Sequence, residues 1–173
     1  AAEKQWLHLG YFVIALLLVA RLGYLAAGVI QLSEDEAYQW LWSKRLALSY
    51  FSKPPLIAYL QFIGTSLWGD TEFGVRFLSP IITALVSWMV LRFMAREVNA
   101  RAAFWLVMML TSCVLVSAGS LLMTIDPPSV LGWAGAMVAG WKAVQPNSRT
   151  RDWVWVGAWI AFGFLAKFVN ALQ

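Results

Sequence analysis

The chain has 173 residues, of which 61% are hydrophobic and only 13% are charged, and its formal net charge is +4. A soluble domain is nearer half apolar and a quarter charged, so this composition excludes an ordinary soluble protein and predicts an integral membrane protein. The single cysteine, Cys113, excludes a disulfide framework and a cysteine-based metal site within this sequence, and no pattern indicates a nucleic-acid partner.

Apolar windows of the length of a membrane span recur along the chain. A spanning helix needs about 20 mostly apolar residues. We therefore predict an all-α, multi-pass transmembrane bundle with about five spans, at residues 10–30, 73–94, 102–123, 128–144 and 153–171. The shorter apolar run at 56–68 is expected to lie at the interface or to re-enter the membrane. We interpret residues 1–173 as the N-terminal part of a longer transmembrane domain.

Charge is distributed unevenly between the predicted connections. The connection after the second window carries Arg92, Arg96 and Arg101, and the connection after the fourth window carries Lys142, Arg149 and Arg151. Lysine and arginine favour the cytoplasmic side of a membrane. The connections at 31–72 and 124–128 are therefore expected on the opposite, extracytoplasmic face, where they hold six of the nine acidic residues.

The first extracytoplasmic loop, residues 31–72, opens with the most polar segment of the chain. Ser33 followed three residues later by Glu36 has the pattern of a capping box, which predicts a helix start. The apolar stripe of this short interfacial helix comprises Tyr38, Leu41 and Trp42, and its polar face comprises Gln39 and Ser43. Asp35 is either an acidic residue favoured in the first turn of a helix or a catalytic carboxylate.

Three further charged residues are expected at the same face. Lys53 precedes Pro54 and Pro55, which restrict the backbone, so it is either an interfacial lysine or a binding residue. Asp126 stands before a proline where the fourth window begins, which is typical of a helix N-cap and does not exclude catalysis. Lys167 lies about 21 Å along the fifth window at about 1.5 Å per residue, and it either snorkels to the surface or serves a function.

Cations and carboxylates gathered at a membrane surface suit a substrate with a lipid-linked phosphate. Lysine or arginine binds the phosphate and apolar helices accommodate the lipid chain, while a nearby carboxylate deprotonates an attacking hydroxyl. This combination predicts sugar transfer from a lipid-phosphate carrier. The alternative is a transporter for an anionic solute with Arg21 and Lys167 lining its pathway, although Arg21 is more simply expected to pair with a buried carboxylate.

Five short motifs follow one another along the chain: Asp35-Glu36-Ala37-Tyr38, Tyr50-Phe51-Ser52-Lys53-Pro54-Pro55-Leu56, Gly69-Asp70 with Gly74-Val75-Arg76, Thr124-Ile125-Asp126-Pro127, and Gly163-Phe164-Leu165-Ala166-Lys167. In this order they resemble the GT-C membrane glycosyltransferases, and within these the dolichyl-phosphate-mannose-protein mannosyltransferase-like family, which includes bacterial aminoarabinose transferases acting on lipid A. The resemblance covers nearly the whole chain. It departs from the family at Pro128 and Ser129, where apolar residues commonly follow a single proline.

The resemblance implies roles for particular residues. Asp35 corresponds to the family's general base or acceptor-orienting carboxylate, and Asp126 to its second catalytic carboxylate. Glu36, Lys53 and Lys167 are the implied substrate-binding residues, with the two lysines near the lipid-linked phosphate. The resemblance implies no particular cofactor and leaves a divalent cation open, with Asp35 and Asp126 as its candidate ligands.

The resemblance also implies an activity and a location. The expected reaction moves a sugar from a polyprenyl-phosphate donor to a hydroxyl of a lipid, glycan or protein acceptor. The expected setting is a bacterial inner membrane, with membrane lipids around the helices and the active site on the extracytoplasmic face.

Overall fold

The computed structural model describes residues 2–172, and of Ala2 only the backbone. Within this range the chain is helical and contains no strand, so the predicted all-α class is confirmed. The helices are α1 (Ala2–Ala26), α2 (Glu34–Ser43), α3 (Leu56–Trp68), α4 (Glu72–Arg76), α5 (Leu78–Glu97), α6 (Ala100–Ser112), α7 (Val114–Gly119), α8 (Asp126–Ala143) and α9 (Thr150–Ala166), followed by a 3₁₀ helix at Phe168–Leu172.

Two segments have the length and composition of a membrane-crossing helix. They are Glu3–Ala26 and Glu72–Glu97, with mean hydropathies of 2.0 and 1.7, and they overlap the first and second predicted spans. Only 17% and 22% of the residues in their most apolar stretches are fully buried, so most side chains there are partly or wholly exposed. Helices α3 and α6 are apolar but shorter, with 13 residues each. The remaining spans stay predictions.

Contacts between helix ends define two ends of the bundle. At the first, which we call the α5–α6 end, Ala100 N–H donates to Glu3 Oε2 at 2.8 Å. Near it the rings of Phe93 and Trp141 meet edge to face, which brings the end of α8 alongside α5. At the other end, which we call the α2 end, the connection between α7 and α8 packs against α2, α3 and the start of α5. The assignment of the α5–α6 end to the cytoplasm stays a prediction.

Local backbone chemistry interrupts two of the predicted windows. The second contains Pro80, which has no N–H for the carbonyl one turn earlier, so the regular hydrogen bonding is interrupted at Phe77 between α4 and α5 although the Phe77 backbone stays helical, with φ −47° and ψ −41°. The third is divided at Cys113, whose backbone is extended with φ −69° and ψ 122°. Ser117 Oγ donates to Thr111 O at 3.0 Å and so satisfies a carbonyl freed by the break. The third window is therefore two short helices instead of the continuous span we predicted.

A core cluster lies beneath the α2 end and comprises Ile57, Ile82, Met123, Ile125 and Leu131. These residues come from α3, α5, α8 and the connection before α8, so one cluster joins all four segments. Trp42 of α2 packs against it. The segments that carry the charged residues at this end therefore pack on one shared hydrophobic core.

Glycines allow α8 and α9 to approach very closely. A Cβ added at Gly132 would lie 2.6 Å from the Cα of Gly163, and one at Gly135 would overlap the ring of Trp159 at 2.1 Å. Small residues allow two helix backbones to approach closely, so this helix pair is stabilised by close packing. The pairing brings the first turn of α8 beside the last turn of α9.

Candidate functional site

A buried ion pair attaches α2 to the bundle. The side chains of Glu36 and Arg76 are 0% and 2% exposed, and Arg76 Nη2 lies 2.6 Å from Glu36 Oε2. Arg76 Nε donates to Glu36 Oε1 at 2.8 Å, and Met123 N–H donates to the same oxygen at 2.9 Å. The guanidinium also donates, at 2.8 Å each, to the carbonyls of Ile30 and Gln31. One carboxylate therefore links α2, α4 and the segment before α8.

The Glu36 carboxyl is both charged and fully occupied. Burial would raise its pKa, but the hydrogen bonds from Arg76 and from the N–H groups of Ser33 and Met123 outweigh this cost and hold the pKa below its ordinary value. Ser33 also accepts from Glu36 N–H, so the predicted capping box is confirmed. With no exposed surface, Glu36 is better suited to anchoring α2 than to the substrate contact we predicted.

Helix α2 turns its polar face towards the protein and its apolar face outward. Glu36 and Gln39 are buried, whereas Tyr38 and Leu41 are 44% and 59% exposed. Trp42, the third residue of the predicted stripe, instead packs on the core cluster. Beside a bilayer this arrangement would place Tyr38 and Leu41 against lipid. Asp35, adjacent to the anchor, is exposed, and none of the ion pairs within residues 2–172 engages it.

A second ion pair joins two of the predicted site residues. Lys167 Nζ lies 3.0 Å from Asp126 Oδ1, although the two residues are 41 positions apart in the sequence. Asp126 is the first residue of α8, and the N-cap position is occupied by Ile125, which makes no side-chain cap. The expectation that Asp126 caps the helix is therefore wrong, and its carboxylate instead pairs with Lys167.

Lys167 lies just beyond α9 and not inside a continuous helix. Its backbone is extended, with φ −152° and ψ 127°, and its N–H still donates to Gly163 O at 2.8 Å. The fifth predicted window, 153–171, is thus broken at the lysine itself. This break takes the chain into the 3₁₀ helix and lets the side chain reach Asp126.

A buried asparagine, which sequence reasoning missed, holds this break in place. Asn170 is 0% exposed, and its Oδ1 accepts from Ser129 Oγ at 2.9 Å and from Trp133 Nε1 at 3.0 Å. Its Nδ2 donates to Ser129 O at 3.2 Å and lies 2.5 Å from the position of a Cβ on Gly163. The sequence did carry a signal for Asn170, since it is an amide side chain in an apolar run. Such a group must find hydrogen-bond partners when it is buried.

Lys53 lies in the turn before α3 and is half-buried. The preceding loop is tied to the end of α2 by Tyr50, whose ring stacks on Trp42 at 4.9 Å and whose hydroxyl donates to Trp42 O at 3.1 Å. Ile57, four residues after Lys53, belongs to the same core cluster as Met123. Lys53 is therefore at the α2 end, together with both candidate carboxylates.

An exposed pair joins α2 to the turn between α3 and α4. Lys44 Nζ contacts Asp70 Oδ1, and Trp40 Nε1 donates to the same oxygen at 3.3 Å. The hydrogen bond from Lys44 lowers the pKa of the Asp70 carboxyl. This pair was not predicted, although Asp70 belongs to one of the motifs.

Arg21 does not form the pair that we expected. It lies on the inward face of α1, is 9% exposed, and its Nη2 has no hydrogen-bond partner. None of the ion pairs within residues 2–172 includes it, and the buried carboxylate of Glu36 is held by Arg76.

The donor set for a metal ion is small. Within residues 2–172 no group of three or more His, Cys, Asp or Glu side chains could hold one. Asp126 Oδ1 already contacts the Lys167 ammonium. A magnesium ion is commonly held by one or two carboxylates together with waters and substrate phosphates, whereas a site made of protein ligands alone needs more donors than Asp35 and Asp126. A divalent cation at these two carboxylates stays a prediction.

Comparison with known proteins identifies the family of the chain. A family model described as dolichyl-phosphate-mannose-protein mannosyltransferase matches residues 52–173. This stretch includes Lys53, Arg76, Asp126 and Lys167. No solved structure matches the chain.

Several curated bacterial proteins are similar to the chain. An undecaprenyl phosphate-alpha-4-amino-4-deoxy-L-arabinose arabinosyl transferase of Serratia proteamaculans is 32% identical over 77% of the chain and 25% of the relative. Its counterpart in Pseudomonas savastanoi is 29% identical over 79% of the chain and 27% of the relative. A lipid A galacturonosyltransferase of Rhizobium johnstonii is 28% identical over 78% and 28%. The chain thus spans about a quarter of the length of these relatives.

Proposed function

Because the chain belongs to the dolichyl-phosphate-mannose-protein mannosyltransferase family, we propose that it is part of a membrane glycosyltransferase that uses a polyprenyl-phosphate sugar donor. The observation that carries this proposal is the pairing of Lys167 with Asp126, at the same end of the bundle as Asp35 and Lys53. Transfer of a sugar from a lipid phosphate needs cations for the phosphate and a carboxylate for the acceptor. The α2 end supplies both.

The proposed reaction is a single displacement. Asp35 takes the proton of an acceptor hydroxyl, and the hydroxyl oxygen attacks the anomeric carbon of the donor sugar. The bond between that carbon and the phosphate oxygen breaks, its electron pair leaves with the polyprenyl phosphate, and the anomeric configuration is inverted. Lys53 and Lys167 stabilise the negative charge that develops on the departing phosphate.

The Asp126 pair suits such a role because it is exposed. The Lys167 and Asp126 side chains are 41% and 64% exposed, and ion pairs of this kind contribute only about 0–1 kcal/mol. A donor phosphate can therefore take over Lys167 at little cost. Asp126 then keeps the ammonium positioned in the empty site and gives it up when the phosphate arrives.

The relatives favour one donor and one acceptor class. Two of them are named for an undecaprenyl-phosphate-linked aminoarabinose and one for lipid A. We therefore propose an undecaprenyl-phosphate sugar as the donor and a lipid A-type glycolipid as the acceptor. A bacterial inner membrane, with the α2 end facing the periplasm, follows from this substrate pair and from the predicted charge bias.

The decisive experiment compares the full-length protein with its Asp35→Asn variant in nanodiscs. A panel of undecaprenyl-phosphate sugars is offered with a lipid extract, and released undecaprenyl phosphate is followed by mass spectrometry. Loss of a general base is expected to lower the rate by about 10²–10⁴-fold. Glu34→Gln is the matched control, since Glu34 is an exposed acid in the same helical turn, and it should retain activity.

The outcomes separate the parts of the proposal. Equal activity of Asp35→Asn and wild type would remove Asp35 from the mechanism while keeping the enzyme. No release from any donor by folded wild-type protein would contradict the glycosyltransferase and favour the transporter.

A further inference from the structure

A groove of about 880 Å³ lies at the α5–α6 end, away from the candidate site. Helix α5 forms its floor, Leu7 of α1 borders one side, and α8 with the loop at 145–148 borders the other. The lining nearer the middle of the bundle is apolar and includes Trp88, Met89 and Val138, which precede the charged lining residues along α5 and α8. The groove is therefore apolar towards the middle of the bundle and charged towards the α5–α6 end.

The mouth of this groove carries more positive than negative charge. Arg92 and Arg96 lie one turn apart on α5, and Lys142 faces them from α8. Lys142 lies 2.8 Å from Asp152, and Arg96 lies 3.6 Å from its neighbour Glu97.

Of the three cations at the mouth of the groove, Arg92 is the one that pairs with no carboxylate. Its Nη1 donates to the hydroxyl of Tyr11 at 3.1 Å, and none of the ion pairs of residues 2–172 includes it. The Arg96 side chain, at 79% exposure, is free to move towards a ligand. A single anionic group between these two arginines would balance the excess charge.

We propose that this groove binds one anionic phospholipid, with its phosphate between Arg92 and Arg96 and an acyl chain along the apolar floor. Basic pockets between membrane helices recognise acidic lipid headgroups in this way. The exposed indoles of Trp88 and Trp141 border the groove, at the level where aromatic residues meet the membrane interface. A free phosphate would use the arginines but not the apolar floor, so the layering favours a lipid.

The size of the groove favours a lipid over another helix. A helix about 10 Å wide would fill this volume within about two turns, which is too short for a spanning segment. The volume is within the range of about 300–1,000 Å³ that is typical of small-molecule sites. The proposed lipid lies at the opposite end from Lys167, so this proposal does not depend on the proposed reaction.

Native mass spectrometry of the full-length protein tests the proposal. Phosphatidylglycerol and phosphatidylcholine are titrated into detergent-solubilised wild type and into an Arg92→Gln, Arg96→Gln double variant. The double variant should bind phosphatidylglycerol at least about tenfold more weakly, as expected for two cations beside a headgroup. An Arg101→Gln, Arg151→Gln variant removes the same charge from the same end, outside the groove, and should differ from wild type by less than about twofold.

Two results would overturn the proposal. One is a failure of charge recognition at the groove. Equal loss of phosphatidylglycerol binding in both double variants would leave only general surface charge, and equal binding of the two lipids by wild type would mean that charge plays no part. The other comes from a photoreactive phenylalanine derivative in place of Trp88 in native membranes. It should crosslink to phospholipid, and crosslinking only to polypeptide would mean that protein fills the groove.

Discussion

Two ion pairs at the α2 end have similar distances and very different surroundings. Glu36 and Arg76 approach to 2.6 Å and are buried, whereas Asp126 and Lys167 approach to 3.0 Å in the open. Breaking a buried pair leaves a charge without water and costs about 3–5 kcal/mol, while an exposed pair contributes about 0–1 kcal/mol. The first pair therefore fixes the architecture, and the second can exchange its partner for a substrate.

The same contrast separates two neighbouring acids. Asp35 and Glu36 are adjacent in one motif, yet Glu36 points into the bundle and is occupied by hydrogen bonds while Asp35 is exposed. One turn of α2 thus provides both an anchor and a carboxylate at the surface. The anchor determines where Asp35 is held relative to the start of α8, because Glu36 binds Met123 N–H.

The largest effect is expected from removing one partner of the buried pair. Arg76→Ala leaves Glu36 buried without its cation and should lower the free energy of unfolding by about 3–5 kcal/mol. Thermal unfolding in detergent measures this loss. A Glu36→Gln, Arg76→Met double variant removes both charges and should recover part of it. A double variant as unstable as Arg76→Ala would mean that packing, and not the unpaired charge, causes the loss.

Lowering the pH should weaken the Glu36–Arg76 pair, and the resulting loss of stability should be smaller than that caused by Arg76→Ala. The pKa of Glu36 in the folded protein lies below its ordinary value of 4.5, so the unfolded chain takes up the proton first as the pH falls. The stabilisation is complete above about pH 4.5 and is lost as the pH drops towards the folded-state pKa. The stability difference between wild type and Glu36→Gln should therefore shrink below about pH 5. A difference independent of pH would contradict the depressed pKa.

An intermediate effect on stability is expected from removing the side chain of Asn170, which holds the backbone break at Lys167. Asn170→Ala leaves the Ser129 hydroxyl and the Trp133 indole without their acceptor, at a cost of about 1–3 kcal/mol. Because Lys167 then loses its fixed position, the KM for the donor should rise more than kcat falls. Asn147→Ala, in the exposed turn before α9, is the control. Equal changes in kcat and KM would indicate a general structural defect.

The smallest effect on stability is expected at the exposed pair. Lys167→Ala should change the free energy of unfolding by no more than about 1 kcal/mol, yet raise the KM for the donor at least about tenfold by removing a charged phosphate ligand. Lys44→Ala breaks the exposed pair with Asp70, should cost equally little and should leave donor use unchanged. An unaltered donor KM together with an unaltered kcat in Lys167→Ala would remove this lysine from the phosphate site.

Local features of the molecule were readable from the sequence because they depend on short-range chemistry. The capping box of Ser33 and Glu36 needs only residues three apart, and the apolar windows that became α1 and α8 need only composition. We predicted that charged residues gather at the α2 end because spans and connections alternate along the chain. This gathering is seen in the contact of Lys167 with Asp126.

The partners of the charged groups were decided by the tertiary structure. Arg76 stood in a motif without a role, and nothing nearby in the sequence indicated that it would take Glu36 and leave Arg21 without a carboxylate. Lys167 reaches Asp126 because α9 ends at Ala166, just before it, and because Gly132 lets the two helices touch at Gly163. A backbone break and a close approach of a few ångströms depend on packing across the bundle, which no local pattern encodes.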